Sequence, residues 1–572
     1  MKDKKWRIAK GDPSKEKILI NQLGLPPVIA KLLINRGAGD VIAAQTVLNP
    51  SLASFEDPLK MKDMPEAVER LMKAYDQNEK VVIFGDYDVD GISSTALLLS
   101  FFGKIGIEAS YYIPERAREG YGLSKEAVDN ALNSGAKLIV TVDNAITAHE
   151  AVDHANSLGA DVIITDHHLP GRSLPNALAI VNPHRSDCEY PYKSLSGVGI
   201  AFKLVVALRG ALHKRGIEKA RLPNLKDFLD LVAIGSIADL APLTFENRII
   251  VKHGLDTLAR TKRRGLAELM AVANITPEEV TVRDVAFGIA PRVNAAGRLK
   301  RADICVDLLT TDDSAKAREI ASTLDSDNKK RRDIQKEIFA EALRMVDETC
   351  DMENDRAIVL GAGGWNTGVV GIVASKLMDK FYLPVILICF EDDIGKGSAR
   401  SIEGFDLYRA ISDCSTELLK FGGHELAAGL SLGRGRFDTF REKFLAIAKK
   451  RMMPEDMSPV IEIDSEVDPG IFDFDLMDQI NSLEPFGHGF PQPVFISRNV
   501  DIGEVFYMGE GRRHVRLSIK SEARVIGFSY GDFFREHDHT SSRFDIVYQP
   551  EINRWNGRVN VQLRLIDVRL SQ

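Results

Sequence analysis

At 572 residues the chain is longer than one hydrophobic core usually organises, and three or four domains are expected. Its 44% hydrophobic and 27% charged residues and formal net charge of -8 are those of a soluble globular protein and exclude a global basic field, while leaving room for a local basic groove. Five scattered cysteines without CxxC spacing exclude a disulfide framework and a thiolate zinc site, and with no apolar h-region in MKDKKWRIAK and no bilayer-length apolar run they predict a cytoplasmic protein.

Residues 1–75 read as mostly helical, broken at Pro26–Pro27 and Pro58. From Lys80 the pattern changes to short apolar runs alternating with helical stretches: VVIF (81–84), a Gly/Asp-rich loop and ISSTALLLSFFGKIG; EASYYI and a helix near 124–134; KLIVTVDN and a helix near 147–158; then DVIITDHH. Such alternation predicts βαβ units around a parallel sheet. Helical stretches follow at 198–213 and 225–239. Between about Asp312 and Glu348 there is neither Pro nor Gly, which predicts one long, charged helix of the kind that bridges domains. AIVLGAG, GVVGIVASKLMDKF and PVILICF begin a second α/β unit rich in glycine. From about residue 496 four segments alternate apolar and polar residues, with Asn556-Gly557 between the last two, a type I′ hairpin signal in what reads as a small antiparallel barrel.

Carboxylates and histidines fall at telling places. Asp86, Asp88 and Asp90 follow the first strand, Asp143 ends the strand LIVTVD, and Asp166, His167 and His168 end DVIIT. All are expected on one edge of the sheet, beyond the carboxyl ends of its strands, where open α/β sheets place ligands. Asp239, after LVAIGSIA, is a further candidate. Clustered carboxylates repel unless a cation compensates. Asp oxygens with one or two imidazoles suit Mn²⁺ or Mg²⁺, and four or more carboxylates suffice for two ions, a donor set fit for phosphoester hydrolysis. Taken singly, an Asp after a strand is more often a helix N-cap, and DxDxDG alone suits a calcium loop or a turn. Together, on successive strand ends, they point to metal.

GDYDVDGISS, TVDNAIT, ITDHH and GSIADLAPL resemble, in order, motifs I to IV of the DHH phosphoesterase superfamily. PRVNAAGRL (291–299), GWNTGVVGIVASKL (364–377), GKGSARSIEGFDL (395–407), FGGHELAAGL (421–430) and LEPFGHGFPQPVF (483–495) are similar to the pattern of its RecJ-type exonucleases, over nearly the whole chain. The resemblance implies that Asp88, Asp90, Asp143, His167 and Asp239 are metal ligands with Asp86 close by, Asp143 bridging two ions. It places His168 near the scissile phosphate, with Asp166 orienting a neighbouring histidine. It matches Arg292, Asn294 and Arg298 to phosphate contacts, and Arg400, Ser401, Gly422, Gly423 and His424 to the nucleic-acid grip of the second α/β domain; those two glycines permit close backbone approach or merely tight turns. The chain departs from the family at Asn144 and Ala145, where Cys-Gly is usual, at Asn366 (histidine) and at Phe490 (asparagine).

The implied architecture is a helical segment (1–75), a parallel-sheet DHH catalytic domain (76–310), a connecting helix (311–350), a DHHA1-type α/β domain (351–455) and an OB-like antiparallel barrel with its lead-in (456–572). OB folds bind single strands, and Phe506, Tyr507 and Trp555 are candidate stacking platforms. The implied activity is 5′→3′ hydrolysis of single-stranded DNA in repair and recombination, by a monomer using two Mn²⁺ or Mg²⁺ ions, off the membrane, with single-strand-binding protein and a RecQ-type helicase as partners. The rivals are a phosphatase for pyrophosphate or short oligonucleotides, against which the length of the chain counts, and a DNA-binding scaffold on a dead nuclease fold, against which the intact ligand set counts.

Overall fold

The structure, a computed structural model, describes residues 4–115, 122–299, 302–519, 523–555 and 557–571, without the side chains of Leu299 and Trp555. The side chain of the candidate platform Trp555 and the turn residue Asn556 therefore lie outside what is described. The chain forms two compact units: a larger one of residues 6–294, 302–321 and 462–572, and a smaller one of residues 1–5, 295–301 and 322–461.

The larger unit is built on β1 (Val81–Gly85), β2 (Ala109–Tyr112), β3 (Leu138–Val142), β4 (Asp161–Thr165) and β5 (Ala179–Val181). They form one sheet in the order β2-β1-β3-β4-β5, every pair parallel. Both faces are covered, which is why these strands are continuous apolar runs rather than alternating ones. Val82, Phe84, Ile139, Val162 and Ile164 share one core with Ala127 and Val128 of the helix Lys125–Asn133 and with Ala151, Val152 and Ala155 of the helix His149–Ser157. The alternate residues Val81, Ile83, Leu138, Val140 and Ile163 are also fully buried. Helices α1 (Val89–Ile105), α2 (Gly197–Lys214), α3 (Leu229–Ala238) and α4 (Phe245–Leu258) complete this region. The predicted mostly helical start contains helices Pro13–Leu23, Pro27–Asn35, Val41–Leu48 and Met64–Gln77.

A second sheet of this unit contains β11 (Ser465–Glu466), β12 (Phe495–Val500), β13 (Ile502–Met508), β14 (His514–Ile519), β15 (Arg524–Gly527), β16 (Phe544–Trp555) and β17 (Arg558–Leu570), in the order β11-β12-β16-β17-β15-β14-β13. Its pairings are antiparallel except β11 with β12 and β15 with β17. The register brings Trp555 opposite Arg558 across the last hairpin, where Gly557 takes φ 73°.

In the smaller unit, β6 (Ile358–Gly363), β7 (Val385–Glu391), β8 (Ile394–Arg400), β9 (Lys420–Gly423) and β10 (Ala427–Gly433) form a sheet ordered β9-β10-β8-β7-β6, with helices Val370–Phe381 and Phe437–Arg451 packed into its core. The expected long helix is a single 36-residue helix, Ser314–Thr349.

Candidate metal centre

The register of the parallel sheet creates the site. Gly85 pairs with Val142, and Val142 with Thr165, so Asp86, Asp143 and Asp166 leave three adjacent strands at one level, about 5 Å from strand to strand. Asp88 is the N-cap of α1, its carboxylate accepting the Gly91 amide at 3.0 Å. Asp90, in the first turn of α1 and 1% exposed, receives the amides of Gly197 (2.7 Å) and Val198 (2.8 Å) at the N-terminus of α2. Helix N-termini attract anions in this way. The approach demands Gly197: a Cβ there would lie 2.6 Å from that of Asp143. Asp239 caps the C-terminus of α3.

These groups converge. Ligand atoms of Asp143, His167 and His168 lie within 4.8 Å of one another, as do those of Asp90, His167 and Asp239, and those of Asp86, Asp88 and Asp143. His167 Nε2 is 3.0 Å from Asp143 Oδ1, and its Nδ1 is 3.7 Å from Asp239 Oδ2. Burial, then the Asp90, Asp88 and Asp86 carboxylates, push the Asp143 carboxyl well above its ordinary range. Burial, then Asp239 and Asp88, raise Asp90 despite its two amides. Burial and Asp88 push Asp239 up to about 7. Burial, then the neighbouring His168 ring, lower His167 to about 4, leaving its imidazole neutral and able to ligate. Oxygen donors and a neutral imidazole, with no thiolate among them, are the set that holds Mn²⁺ or Mg²⁺. Carboxyls forced toward protonation by one another are the state that a divalent cation relieves. The residues fit the ion.

Asp166 plays a different part. Its Oδ1 accepts from the His168 amide (3.1 Å) and is 2.7 Å from His168 Nδ1, and its Oδ2 accepts the Ile146 amide at 2.9 Å. Burial pushes its carboxyl up, but His168 and the two amides outweigh that and hold it below the usual range. Burial lowers His168, but the Asp166 contact outweighs it and raises the ring. The His168 side chain is 41% exposed, although its Nδ1 lies 4.0 Å from Asp143 Oδ1, so the ring stands at the rim of the cluster.

Two departures have visible consequences. Ala145, where glycine is usual, takes φ 80°, a left-handed conformation that costs a residue with a Cβ about 1–2 kcal/mol. Asn144 is fully buried and donates to the carbonyls of Val142 (2.8 Å) and Phe84 (3.4 Å), tying the Asp143 turn to β1. Asp143 itself has φ 62°. Past Asp239, Leu240 (φ 56°) and Phe245 (φ 41°) are also left-handed yet largely exposed. Such conformations cost about 1–3 kcal/mol each and persist where surroundings over-determine them.

The expected nucleic-acid residues are divided between the two units. Arg292 is 9% exposed and donates to the carbonyls of Gly288 (2.6 Å) and Val272 (3.1 Å); Asn294 is half-buried on the same helix, Ala290–Leu299. In the smaller unit Arg298 donates to the Gly368 carbonyl at 2.8 Å. Arg400 ends β8 and donates to the Ala399 carbonyl at 2.8 Å. Ser401 is buried, its hydroxyl donating to the Phe405 carbonyl at 2.8 Å. Gly422, Gly423 and His424 are exposed in the β9–β10 hairpin, where Gly423 has φ 143° and a Cβ would lie 2.4 Å from the Ala427 carbonyl. The tight turn is real, and the exposure leaves the backbone open. In the C-terminal sheet Phe506 is 42% exposed beneath Arg516, whose guanidinium carbon is 4.6 Å from its ring, and Arg535 is 5.7 Å from the ring of half-buried Tyr507.

Sequence reasoning missed the Gly197 and Val198 amides, although Ser196-Gly-Val-Gly reads as a capped, glycine-opened helix start. It also missed Arg248, for which nothing local distinguishes a buried arginine from an exposed one.

Profiles of known families match three stretches of the chain: the DHH family, N-terminal domain, at residues 80–236, the DHHA1 domain at 354–450, and the RecJ OB domain at 463–567. The single-stranded-DNA-specific exonuclease RecJ of Bacillus subtilis is 40% identical over 99% of this chain and 71% of its own length. Its namesakes in Dickeya dadantii and Escherichia coli are 37% and 36% identical, over 94% of this chain and 95% of theirs. The solved structure of RecJ from Thermus thermophilus in complex with Mn²⁺ superposes with a TM-score of 0.85 at 29% identity, over 99% of this chain and 79% of that one. A RecJ structure from the same organism in complex with Mg²⁺ gives 0.79 at 28% identity, over 99% and 78%.

Proposed function

The chain belongs to the RecJ family of single-stranded-DNA-specific exonucleases, and from that membership we propose that it removes 5′ mononucleotides from single-stranded DNA in the 5′→3′ direction, in DNA repair and recombination. The observation that carries this reading is the convergence of Asp86, Asp88, Asp90, Asp143, His167 and Asp239 in overlapping triads on one sheet edge.

In this reading those six side chains would hold two divalent ions, Mn²⁺ or Mg²⁺, and Asp143, a member of two triads just past the strand that lies between β1 and β4, would be the ligand they share. Bound ions supply Lewis acidity and neutralise charge that develops on a phosphoryl centre. The protein's own groups do the rest. Asp90 is fixed by two amides and cannot swing. Asp166 accepts from His168 Nδ1 and, by raising the ring, favours the doubly protonated imidazolium, whose Nε2 can donate to a phosphate or give its proton to the leaving oxygen. Phosphate contacts are assigned to the exposed Gly422–His424 turn and to Arg400, Arg298 and Asn294, while Arg292 and Ser401 act through the backbone they brace.

Single-stranded DNA is the proposed partner, and a monomer in the cytoplasm the proposed state. Among the described residues no helix is long and apolar enough to cross a membrane. Single-strand-binding protein and a RecQ-type helicase are the proposed protein partners. The test is a timed digest of single-stranded DNA labelled at either end. Early release of the 5′ label as mononucleotide, abolished by chelator, is expected; early release of the 3′ label, or no release with either ion, overturns the reading.

A further inference from the structure

The loop that follows Asp239 is gripped by a segment from the far end of the sequence. Arg248 on α4 is 2% exposed. Its guanidinium donates to the backbone carbonyls of Leu483 (2.5 Å), Glu484 (3.2 Å) and Pro485 (3.1 Å), and to Val47 (3.3 Å). Phe490, 1% exposed, lies 4.2 Å from the same guanidinium. Arg36 lies 5.4 Å from that ring, donates to the Pro491 carbonyl at 2.8 Å and pairs with Asp464 at 2.8 Å. Phe490 is thus the hub of two buried cation–π contacts, a role that an asparagine could not fill.

The gripped segment bends back on itself through reciprocal bonds between Gly487 and Phe490, 2.9 and 3.1 Å. The bend presents the His488 carbonyl to the Leu243 amide at 2.7 Å. Gly489, at φ 71°, lies so close to Pro242 that a Cβ would sit 2.9 Å from the Pro242 Cβ. Pro242 and Leu243 belong to the short loop that begins at Asp239 and is bounded by left-handed Leu240 and Phe245. Two strained residues enclosing a loop relax when an external hold is released, and the first of them adjoins Asp239.

We propose that Arg248 is a positioning residue for the metal centre: by holding residues 483–491 on the Pro242–Leu243 loop it keeps Asp239 where an ion needs it. The inference rests on the reading of Asp239 as an ion ligand. Because the same segment leads into β12, it also makes the seating of the C-terminal sheet a determinant of ion affinity.

The test is calorimetric titration of the full-length, chelator-stripped protein with Mn²⁺, alongside far-UV circular dichroism. Arg248→Lys retains the charge but loses the forked reach to three carbonyls. Gly489→Ala leaves Arg248 intact and forces the segment off Pro242, so it carries the test if the arginine variant does not fold. Each folded variant is expected to bind Mn²⁺ about tenfold more weakly, the scale seen when groups supporting a ligand are removed. Wild-type Mn²⁺ affinity in Gly489→Ala, or in folded Arg248→Lys, overturns the inference, because a merely structural strut lowers melting temperature without moving affinity. Asp239→Asn separates the two failures. Unchanged affinity there overturns the ligand reading itself, whereas weakened affinity there with unchanged affinity in Gly489→Ala overturns the positioning role alone.

Discussion

Nδ1 of His168 lies 2.7 Å from Oδ1 of Asp166, a fully buried carboxylate that also accepts the amides of His168 and Ile146. The acid is thereby committed to orienting the ring. Asp166→Asn keeps the volume and an acceptor but removes the charge that fixes the proton on Nδ1. Steady-state digestion of single-stranded DNA should show kcat lower by about 10²-fold or more, the usual scale for a general acid. Wild-type kcat would remove His168 from proton transfer.

Asp143 belongs to two of the three triads. Asp143→Ala should cut cleavage by more than about 100-fold, beyond the range for groups that only support a ligand, with the circular dichroism spectrum unchanged. It should also raise the melting temperature of the chelated protein above pH 7, because a buried carboxylate repelled by Asp90, Asp88 and Asp86 is gone. Retained cleavage would show that Asp143 is not a ligand.

Asp239 is raised from 3.8 to about 7. Between those values the folded, metal-free chain holds a proton that the unfolded chain has released, so its stability declines as pH rises across that window. The contribution is fully present below pH 4 and gone above pH 7. Its size is on the order of 2–4 kcal/mol, and added Mn²⁺ should abolish the decline. Urea titrations of chelated wild type and Asp239→Asn from pH 4 to 8 measure it: the wild-type slope should be steeper, and equal slopes refute it.

Ala145 sits at φ 80°. Ala145→Gly should stabilise the protein by about 0.5–1 kcal/mol, the relief of left-handed strain less the added entropy of the unfolded chain. Urea unfolding reads the gain. A loss would mean that the buried methyl contributes more by packing than its conformation costs.

Phe506 and Arg516 form an exposed aromatic–cation pair on the C-terminal sheet. Phe506→Ala should weaken binding of long single strands by about 1–3 kcal/mol, one stacked base, while hydrolysis of very short oligonucleotides is unchanged. Fluorescence anisotropy against strand length decides it.

The parallel sheet and its acidic edge were legible in the sequence because both obey local rules. Buried parallel strands are unbroken apolar runs, and residues that follow such runs emerge on one edge, so Asp86, Asp143 and Asp166 could be grouped from their place in the chain alone. The 36-residue helix was legible from the absence of its breakers. Phe490 was visible only as a departure, since a ring between two guanidiniums needs Arg36 and Arg248, both remote in sequence. Arg292 read as a phosphate contact, yet its guanidinium is engaged with the carbonyls of Gly288 and Val272.

Periodicity and composition, then, determined which segments become strands and helices and which acids share an edge, because backbone pairing imposes a repeat on the chain itself. Which carboxylates stay charged, which amides brace Asp90, and which distant segment holds the loop after Asp239 were decided only on folding. Electrostatic repulsion, desolvation and van der Waals contact act through space, and no spacing along the chain encodes the distances on which they depend.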